Sequence, residues 1–307
     1  MEVTRHLPEE AIEDARAFCR DEYQDYLIYK EMASREADEG LKRVLERFAE
    51  QEYNHYQFWK ELTGEDCKSS ISRWTITKLR ILRRILGLTF ALKYLELHEE
   101  EVIKNYKRYL EKLQGEDRRR LEEIIKDELE HESNLLSELN ESIVRYLSFI
   151  ALGLADAIVE ITGVHAGFLG ATKETLVAGI AGLIVGVSAA FSMAGAAYLQ
   201  AKAEIGQDQR GRHPGRSAAV TGISYLAAVI ILALPYFITQ HQLTAFAVSV
   251  GLAIVIVSGF TFYNSVLNEA PFKTELTENL LILFGTATIA FIFGDILGGI
   301  FGLEGIL

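Results

Sequence analysis

Two Glu-x-x-His motifs are the residues of this sequence with the clearest chemistry. Glu52 and His55 form the first motif, and Glu128 and His131 form the second. Residues three apart lie on one face of a helix, so each motif directs a carboxylate and an imidazole to the same point. Carboxylate oxygens with one imidazole per ion suit Fe(II) or Mn(II). We therefore predict that both motifs bind divalent metal ions.

Each motif is preceded by a glutamate–tyrosine pair at a matched distance. Glu22 precedes the first motif by 30 residues, and Glu99 precedes the second by 29. A tyrosine follows each of these glutamates by seven residues, namely Tyr29 and Tyr106. The spacing indicates a duplicated helix pair that supplies the ligand set of a di-iron carboxylate bundle. The tyrosines are predicted to donate hydrogen bonds to ligand carboxylates, with simple core packing as the alternative.

The sequence does not decide which glutamate of the third helix binds metal, because several glutamates lie close together there. Glu99 fits the repeat best, and Glu96, one turn earlier, is a plausible additional ligand. His98 and Cys19 lie near these positions, and we expect neither to be a ligand. The predicted metal ligands are Glu22, Glu52, His55, Glu96, Glu99, Glu128 and His131.

Long helices must position these residues. Helix signals predict helices over 8–38, 41–62 and 91–113, and a fourth from residue 116. Two short connections and one long crossover, 65–90, predict an antiparallel four-helix bundle. The crossover contains SRWTITKLRILRRILGLTF, which is both basic and apolar. It suits a helix on a lipid surface or, equally, an amphipathic helix packed on the bundle.

At these residues the chain resembles the rubrerythrin branch of the ferritin-like superfamily. The segments AEQEYNH at 49–55 and DELEH at 127–131 carry the resemblance, which covers about residues 8–140. It implies a di-iron centre that binds Fe(II) and oxidises it with oxygen or peroxide. Rubrerythrins proper also carry a rubredoxin-like CxxC…CxxC module for electron delivery, and this sequence departs from the family by lacking it.

Charge changes sharply near residue 141. Residues 1–141 hold 33 acidic and 24 basic side chains, whereas residues 142–307 hold only 10 and 7. We therefore expect a charged domain over 1–141 and an apolar domain over 142–307. The net charge of −12 argues against nucleic acid as a partner. The two cysteines form no CxxC pair and are expected to be reduced, and the first residues contain no apolar signal-peptide run.

The apolar domain is predicted to cross a membrane five times. Windows near 143–165, 175–200, 218–239, 242–264 and 279–302 are each long enough to span a bilayer. The stretch from 127 to 163 is predicted to be one long helix, or nearly so, that joins the bundle to the first span. The loop over 201–217 is basic, so the positive-inside rule places it and the N-terminal domain in the cytosol. The predicted protein is a multi-pass protein of the cell membrane.

Ionisable groups within spans are costly and therefore mark functional positions. Asp156 and Glu160 lie four apart on one face of the first span, and we predict that they line an ion path. Asp295 lies in the last span, where an interfacial position is equally consistent. Met193 on the second span is a weak metal ligand or a packing residue, and His165 is expected to lie at the membrane interface.

This half resembles the vacuolar iron transporter family. GLADAIVEITG at 153–163, FSMAGAAYL at 191–199 and the five-span count carry the resemblance. It implies a homodimer that moves Fe(II) and Mn(II) out of the cytosol in exchange for protons, with Asp156 and Met193 in the ion path. The chain departs from the family at Ala157, which replaces a usual glycine, and at Ala197, which replaces a common glutamate. It also lacks the family's glutamate-rich cytosolic insertion, which the bundle would replace.

The fusion of the two parts resembles membrane-bound ferritin type iron exporters. The primary hypothesis is therefore proton-coupled export of Fe(II), and of Mn(II), from a cytosolic bundle that captures and also oxidises iron. The alternative is a membrane-tethered ferroxidase or peroxidase whose spans are mainly an anchor. A bundle that gates the pore when it is loaded with metal is compatible with the primary hypothesis.

Overall fold

The computed structural model describes residues 8–95, 97, 99–139, 146–172, 174–204, 213–268 and 270–303. The side chains of Glu99, Glu100 and residues 130–139 lie outside this description. The chain divides into two compact units, Met1–Glu141 and Ser142–Leu307. The described parts of both units consist of helices and their connections, without a β-strand, which confirms the predicted all-α fold class.

The described residues of the first unit form six helices, and four of them form the bundle. The bounds are α1 (Glu9–Ser34), α2 (Glu39–Thr63), α3 (Arg73–Leu86), α4 (Leu88–Leu95), α5 (Glu99–Leu110) and α6 (Gly115–Leu139). Helices α1, α2, α5 and α6 share one apolar core around the fully buried Trp59, which contacts the rings of Phe18, Tyr106 and Tyr109. This common core confirms the four-helix arrangement.

The turn between α1 and α2 is set by one aspartate. Asp38 caps α2 by accepting hydrogen bonds from the backbone N–H groups of Gly40 and Leu41, at 2.8 and 3.0 Å. Because Asp38 serves the following helix, α1 ends at Ser34 and does not reach residue 38 as predicted. At the other end of α2, Gly64 adopts φ 70°, a left-handed cap that favours glycine.

The third helix of the sequence prediction is two separate elements. Helix α4 ends at Leu95 and α5 begins at Glu99, where one continuous helix over 91–113 was expected. Residues 96 and 98, which come between these two helices in the sequence, lie outside the described residues.

The two cysteines form a disulfide between α1 and the connection after α2. Cys19 is bonded to Cys67, so the expectation that both are reduced is wrong for this structure. Their 48-residue separation hid the pairing from the sequence. Arg16 holds the same connection against α1 through an ion pair of 2.5 Å with Glu65, which brings Cys67 to Cys19.

The second unit contains five helical segments that are long and apolar enough to cross a membrane. They are α7 (Leu147–Ala171), α8 (Thr175–Ala203), α9 (Pro214–Ala233) continued by the short α10 (Pro235–Ile238), α11 (Gln242–Asn268) and α12 (Phe272–Phe301). Pro214 and Pro271 start α9 and α12 several residues before the predicted windows. The five-segment pattern agrees with the sequence prediction.

Helix α7 lies at the centre of the second unit, in contact with α8, α9, α11 and α12. Glycines let these helices approach closely. A Cβ at Gly294 of α12 would overlap the carbonyl oxygen of Gly167 of α7, and a Cβ at Gly153 would overlap that of Thr221 of α9. Small residues at such crossings are typical of helices that pack in membranes.

The stretch from residue 127 to 163, which was predicted to be one long helix or nearly so, contains a turn at Tyr146. Helix α6 ends at Leu139 and α7 begins at Leu147, after Tyr146 in a turn, while residues 140–145 lie outside the description. Tyr146 is buried against Ala197 and Ala201, and its hydroxyl accepts the N–H of His213. These contacts hold Tyr146 in place within the second unit, where the sequence pattern indicated only an uninterrupted helix.

Candidate metal centre

Three helices bring four of the predicted ligands to one point. Glu22 comes from α1, Glu52 and His55 come from α2, and Glu128 comes from α6. One ligand atom from each residue lies within 4.8 Å of the others, and all four side chains are buried. The Glu52-x-x-His55 spacing places both groups on one face of α2, as the helical repeat requires. The arrangement can surround a cation with carboxylate oxygens and one imidazole.

His55 lies at the middle of this cluster. Its Nδ1 is 2.9 Å from Oε1 of Glu128 and 3.5 Å from carboxylate oxygens of both Glu22 and Glu52. The imidazole is only 2% exposed. Neither ring nitrogen makes a hydrogen bond of acceptable geometry, which is rare for a group buried this deeply. A metal ion held by the same atoms would satisfy the nitrogen and offset most of the charge of the three carboxylates, so the residues present fit a divalent cation.

Tyr106 of α5 supports the cluster from outside. Its hydroxyl donates a hydrogen bond to Oε1 of Glu22, and its ring is 1% exposed. A donor of this kind fixes the orientation of a ligand carboxylate. The equivalent position in the repeat, Tyr29, is also buried and packs edge-on against Phe48.

The electrostatics of the cluster reflect crowded carboxylates that are removed from water. Burial raises the pKa of Glu22 to about 7, although the neighbouring His55 opposes the shift. Burial alone would lower the pKa of His55, but the Glu22 carboxylate and contacts with Asp127 and Glu128 raise it well above its usual value. Groups that hold protons in this way release them when a metal ion binds.

Sequence analysis missed two aspartates beside the cluster. Burial, together with repulsion from Glu52, Glu22 and Glu128, raises the pKa of Asp25 well above its usual range. Oδ2 of Asp127 lies 3.7 Å from Nε2 of His55, on the opposite side of the ring from Glu128. The signal for Asp25 was available, because it follows Glu22 by three residues and shares its helix face.

The remaining predicted ligands are not placed by the structure. Glu96 lies outside the described residues, and the side chains of Glu99 and His131 do as well, although both lie on helices. The second half of the predicted di-metal set therefore remains a prediction. The described cluster accounts for the first Glu-x-x-His motif, its paired glutamate and the glutamate of the second motif.

The carboxylates of the first span lie in two different environments. Glu160 is half-buried and accepts a hydrogen bond from Tyr225 of α9. Asp156, one turn earlier on α7, is exposed on the surface of the second unit. Met193 of α8 is half-buried and packs against the apolar cluster that contains Ala157 and Tyr225.

His165, which was predicted to lie at the membrane interface, is covered by protein in this structure, and its depth in a membrane stays a prediction. It is fully buried in the second unit, where its ring stacks on Tyr236 with 4.0 Å between ring centroids. Gly182 of α8 makes room for it, because a Cβ there would overlap Nε2 of the imidazole. The sequence pattern could not reveal that the end of α7 is covered by α8 and α10. Asp295 is half-buried on α12.

Comparison with known families supports the assignment of the first unit. Residues 15–139 match the family model described as Rubrerythrin, a range that holds all four cluster residues and less than half of the chain. No curated protein and no solved structure matches the chain. The resemblance of the second unit to the vacuolar iron transporters therefore remains a prediction. The first unit is rubrerythrin-like, which implies iron binding, and it is joined to five helices that could cross a membrane.

Proposed function

We propose that this protein exports Fe(II), and also Mn(II), across the cell membrane, with the rubrerythrin-like unit as a cytosolic collector of the metal. The observation that carries the proposal is the buried cluster of Glu22, Glu52, His55 and Glu128. It combines hard oxygen ligands with one imidazole, which suits these two ions. Its presence in one chain with five potential spans supports a function that links metal capture to a membrane.

The ion path is proposed to run beside Asp156 and Glu160 of α7, with Met193 of α8 contributing a weak sulfur ligand. Ionisable groups in membranes face protein or a water-filled cavity because contact with lipid is costly. Asp156 is exposed on the single chain, so a second copy of the chain is its proposed cover. The carboxylates of this pair would also take up protons, which would couple metal efflux to inward proton flow.

Transport by the purified chain in proteoliposomes tests this proposal. Wild-type protein is expected to move Fe(II) and Mn(II) in a direction that reverses when the imposed pH gradient is reversed. Asp156→Asn is expected to abolish transport while the protein still inserts. Asp295→Asn, which changes a carboxylate on a different helix, is the comparison and is expected to retain transport. Undiminished transport by Asp156→Asn would refute the path.

Metal binding by the first unit needs a separate measurement on the same full-length protein. Anaerobic calorimetry with Fe(II) is expected to show tight binding that Glu128→Gln and His55→Ala weaken by more than about 100-fold, the upper end of the loss caused by outer partners alone. Glu123→Gln, an exposed glutamate on the same helix, is the matched control. Equal Fe(II) affinity of Glu128→Gln and the control would show that the cluster is not the metal-binding site.

A membrane-tethered ferroxidase or peroxidase is the second candidate function. The family match favours it, because the match is confined to the first unit. Assays of iron oxidation and of transport on Glu52→Ala and Asp156→Asn separate the two functions. An oxidase with a passive anchor predicts oxidation that Glu52→Ala abolishes and Asp156→Asn leaves intact, with no transport by wild-type protein. An exporter predicts transport that depends on Asp156.

A further inference from the structure

Helix α3 has one face that is fixed to the bundle. Leu79 is buried in the apolar cluster that α1 and α2 also line. Arg80 forms an ion pair of 2.6 Å with Glu31 of α1, and Arg83 forms one of 2.7 Å with Glu36 in the connection that follows. Three anchors on one side determine the rotation of α3 about its axis. The opposite side is therefore presented outward in a defined way.

The outward side carries a stripe of large apolar residues. Trp74 is 72% exposed, Ile81 is 50% exposed and Ile85 is 71% exposed. These residues are seven and four apart, so they lie within about 40° of one another around the helix at 3.6 residues per turn. Large apolar side chains that are exposed together on one face indicate a surface that meets another apolar phase.

Cations border this stripe on both sides. Helix α3 contains five basic residues and no acidic one, whereas residues 1–141 as a whole are acidic. Arg73 and Arg84 lie on one border and Lys78 lies on the other, by the helical repeat. The Lys78 ammonium donates to the hydroxyl of Tyr94 at 2.6 Å, and no ion pair of Lys78 with a carboxylate is found among the described residues. A basic patch on an acidic domain is complementary to an anionic surface.

We propose that α3 binds the surface of an anionic lipid bilayer through this stripe, with Trp74 in the headgroup region. An apolar stripe between basic residues is the pattern of helices that lie in the interface plane, and tryptophan is enriched at that depth. The same chain carries five segments that could span a bilayer, which supports lipid as the partner of this surface. The proposal does not depend on iron transport, and failure of transport would leave it standing.

The two tryptophans of the chain make the proposal measurable. Trp59 is fully buried and Trp74 is exposed. The fluorescence of Trp74 is therefore obtained by subtracting the emission of Trp74→Phe, which retains only Trp59, from that of the wild-type protein. Full-length protein is placed in nanodiscs of phosphatidylcholine with or without phosphatidylglycerol. Lipids brominated near the headgroup are expected to quench Trp74 strongly in anionic discs, while aqueous acrylamide quenches it weakly.

Charge variants test the lipid preference. The double variant Arg73→Gln/Arg84→Gln is expected to weaken the association of α3 with the anionic lipid surface. The expected loss is about fivefold for each cation removed, which is the size of one basic contact with such a surface. Arg118→Gln with Arg119→Gln removes the same charge from exposed positions on α6 and is expected to change nothing. Ile81→Ser with Ile85→Ser is expected to restore access of acrylamide to Trp74.

Three outcomes would contradict the proposal. Strong quenching by acrylamide in anionic discs would place Trp74 in water. Protection from both acrylamide and brominated lipid would place it against protein, either a second copy of the bundle or another part of the same chain. Equal quenching by lipid in neutral and anionic discs would refute the role of the cations.

Discussion

His55 of α2 and Glu128 of α6 meet with 2.9 Å between Nδ1 and Oε1, although the two residues belong to different Glu-x-x-His motifs. The repeat in the sequence relates the motifs to each other, and the fold places the glutamate of the second motif against the histidine of the first. Glu22 lies at the same point and is oriented by Tyr106 of α5. The centre therefore depends on four helices at once.

Tyr106→Phe is expected to weaken Fe(II) binding by about 10- to 100-fold, because Glu22 loses the donor that fixes its carboxylate. Tyr109→Phe is a matched control on the same helix, since its buried hydroxyl donates to the backbone oxygen of Ala11 at 2.9 Å and not to a ligand. Anaerobic calorimetry on the full-length variants measures both. Equal losses in the two variants would mean that the effect is structural and does not arise at the metal centre.

The metal-free bundle is expected to lose stability as the pH rises from about 5 to 8. Burial raises the pKa of Glu22 from 4.5 to about 7, so within this window the folded protein holds a proton that the unfolded chain has released. His55, whose pKa is also raised, loses its stabilising proton at still higher pH. The stabilising effect of low pH therefore disappears as both groups lose their protons, and the free energy of unfolding falls.

Thermal unfolding followed by tryptophan emission measures this trend, because both tryptophans lie in the first unit. Glu22→Gln is expected to flatten the slope between pH 5 and 8. Bound metal is expected to reverse it, since binding requires the deprotonated carboxylates. Asp66, whose pKa is lowered to about 2 by the Tyr56 hydroxyl, titrates below this window. A midpoint that rises with pH in the metal-free protein would contradict the assignment.

Reduction of the Cys19–Cys67 disulfide is expected to destabilise the first unit. The bond closes a loop of 48 residues, and loop-closure entropy assigns such a cross-link about 4 kcal/mol. The same tryptophan-detected unfolding, with and without a phosphine reductant, gives the change. Cys67→Ser, which cannot form the bond, should have the stability of the reduced wild-type protein, and the reductant should not change it. An unchanged wild-type midpoint under complete reduction, verified by mass spectrometry, would contradict the expectation.

Gly294→Ala is expected to destabilise the second unit by about 1–3 kcal/mol, the usual cost of overpacking. The added methyl group would overlap the Gly167 carbonyl where α12 crosses α7. Gly299→Ala on the same helix is the control, because nothing lies within 4 Å of its Cβ position. Thermal aggregation in detergent, read by size-exclusion chromatography, compares them. Matching stability of the two variants would argue against this crossing.

Several features of the protein could be derived from the sequence alone. The spacing of Glu22, Glu52, His55 and Glu128 was enough to predict shared helix faces, because the helical repeat is local and fixed. The five apolar segments could also be predicted from the sequence, because their length and composition are properties of contiguous residues. The basic and apolar pattern of α3 was visible too, but two interpretations of it stayed open.

Other features were decided only by tertiary structure. The pairing of Cys19 with Cys67, the contact of Asp127 with His55 and the contact of His165 with Tyr236 each join residues from different segments of the chain. Local periodicity contains no information about which helices meet or how each is rotated. The anchors of α3 on α1 belong to the same class, and they alone decide that Trp74 points outward. Sequence periodicity thus determined the helices and their faces, and packing between distant segments determined what those faces contact.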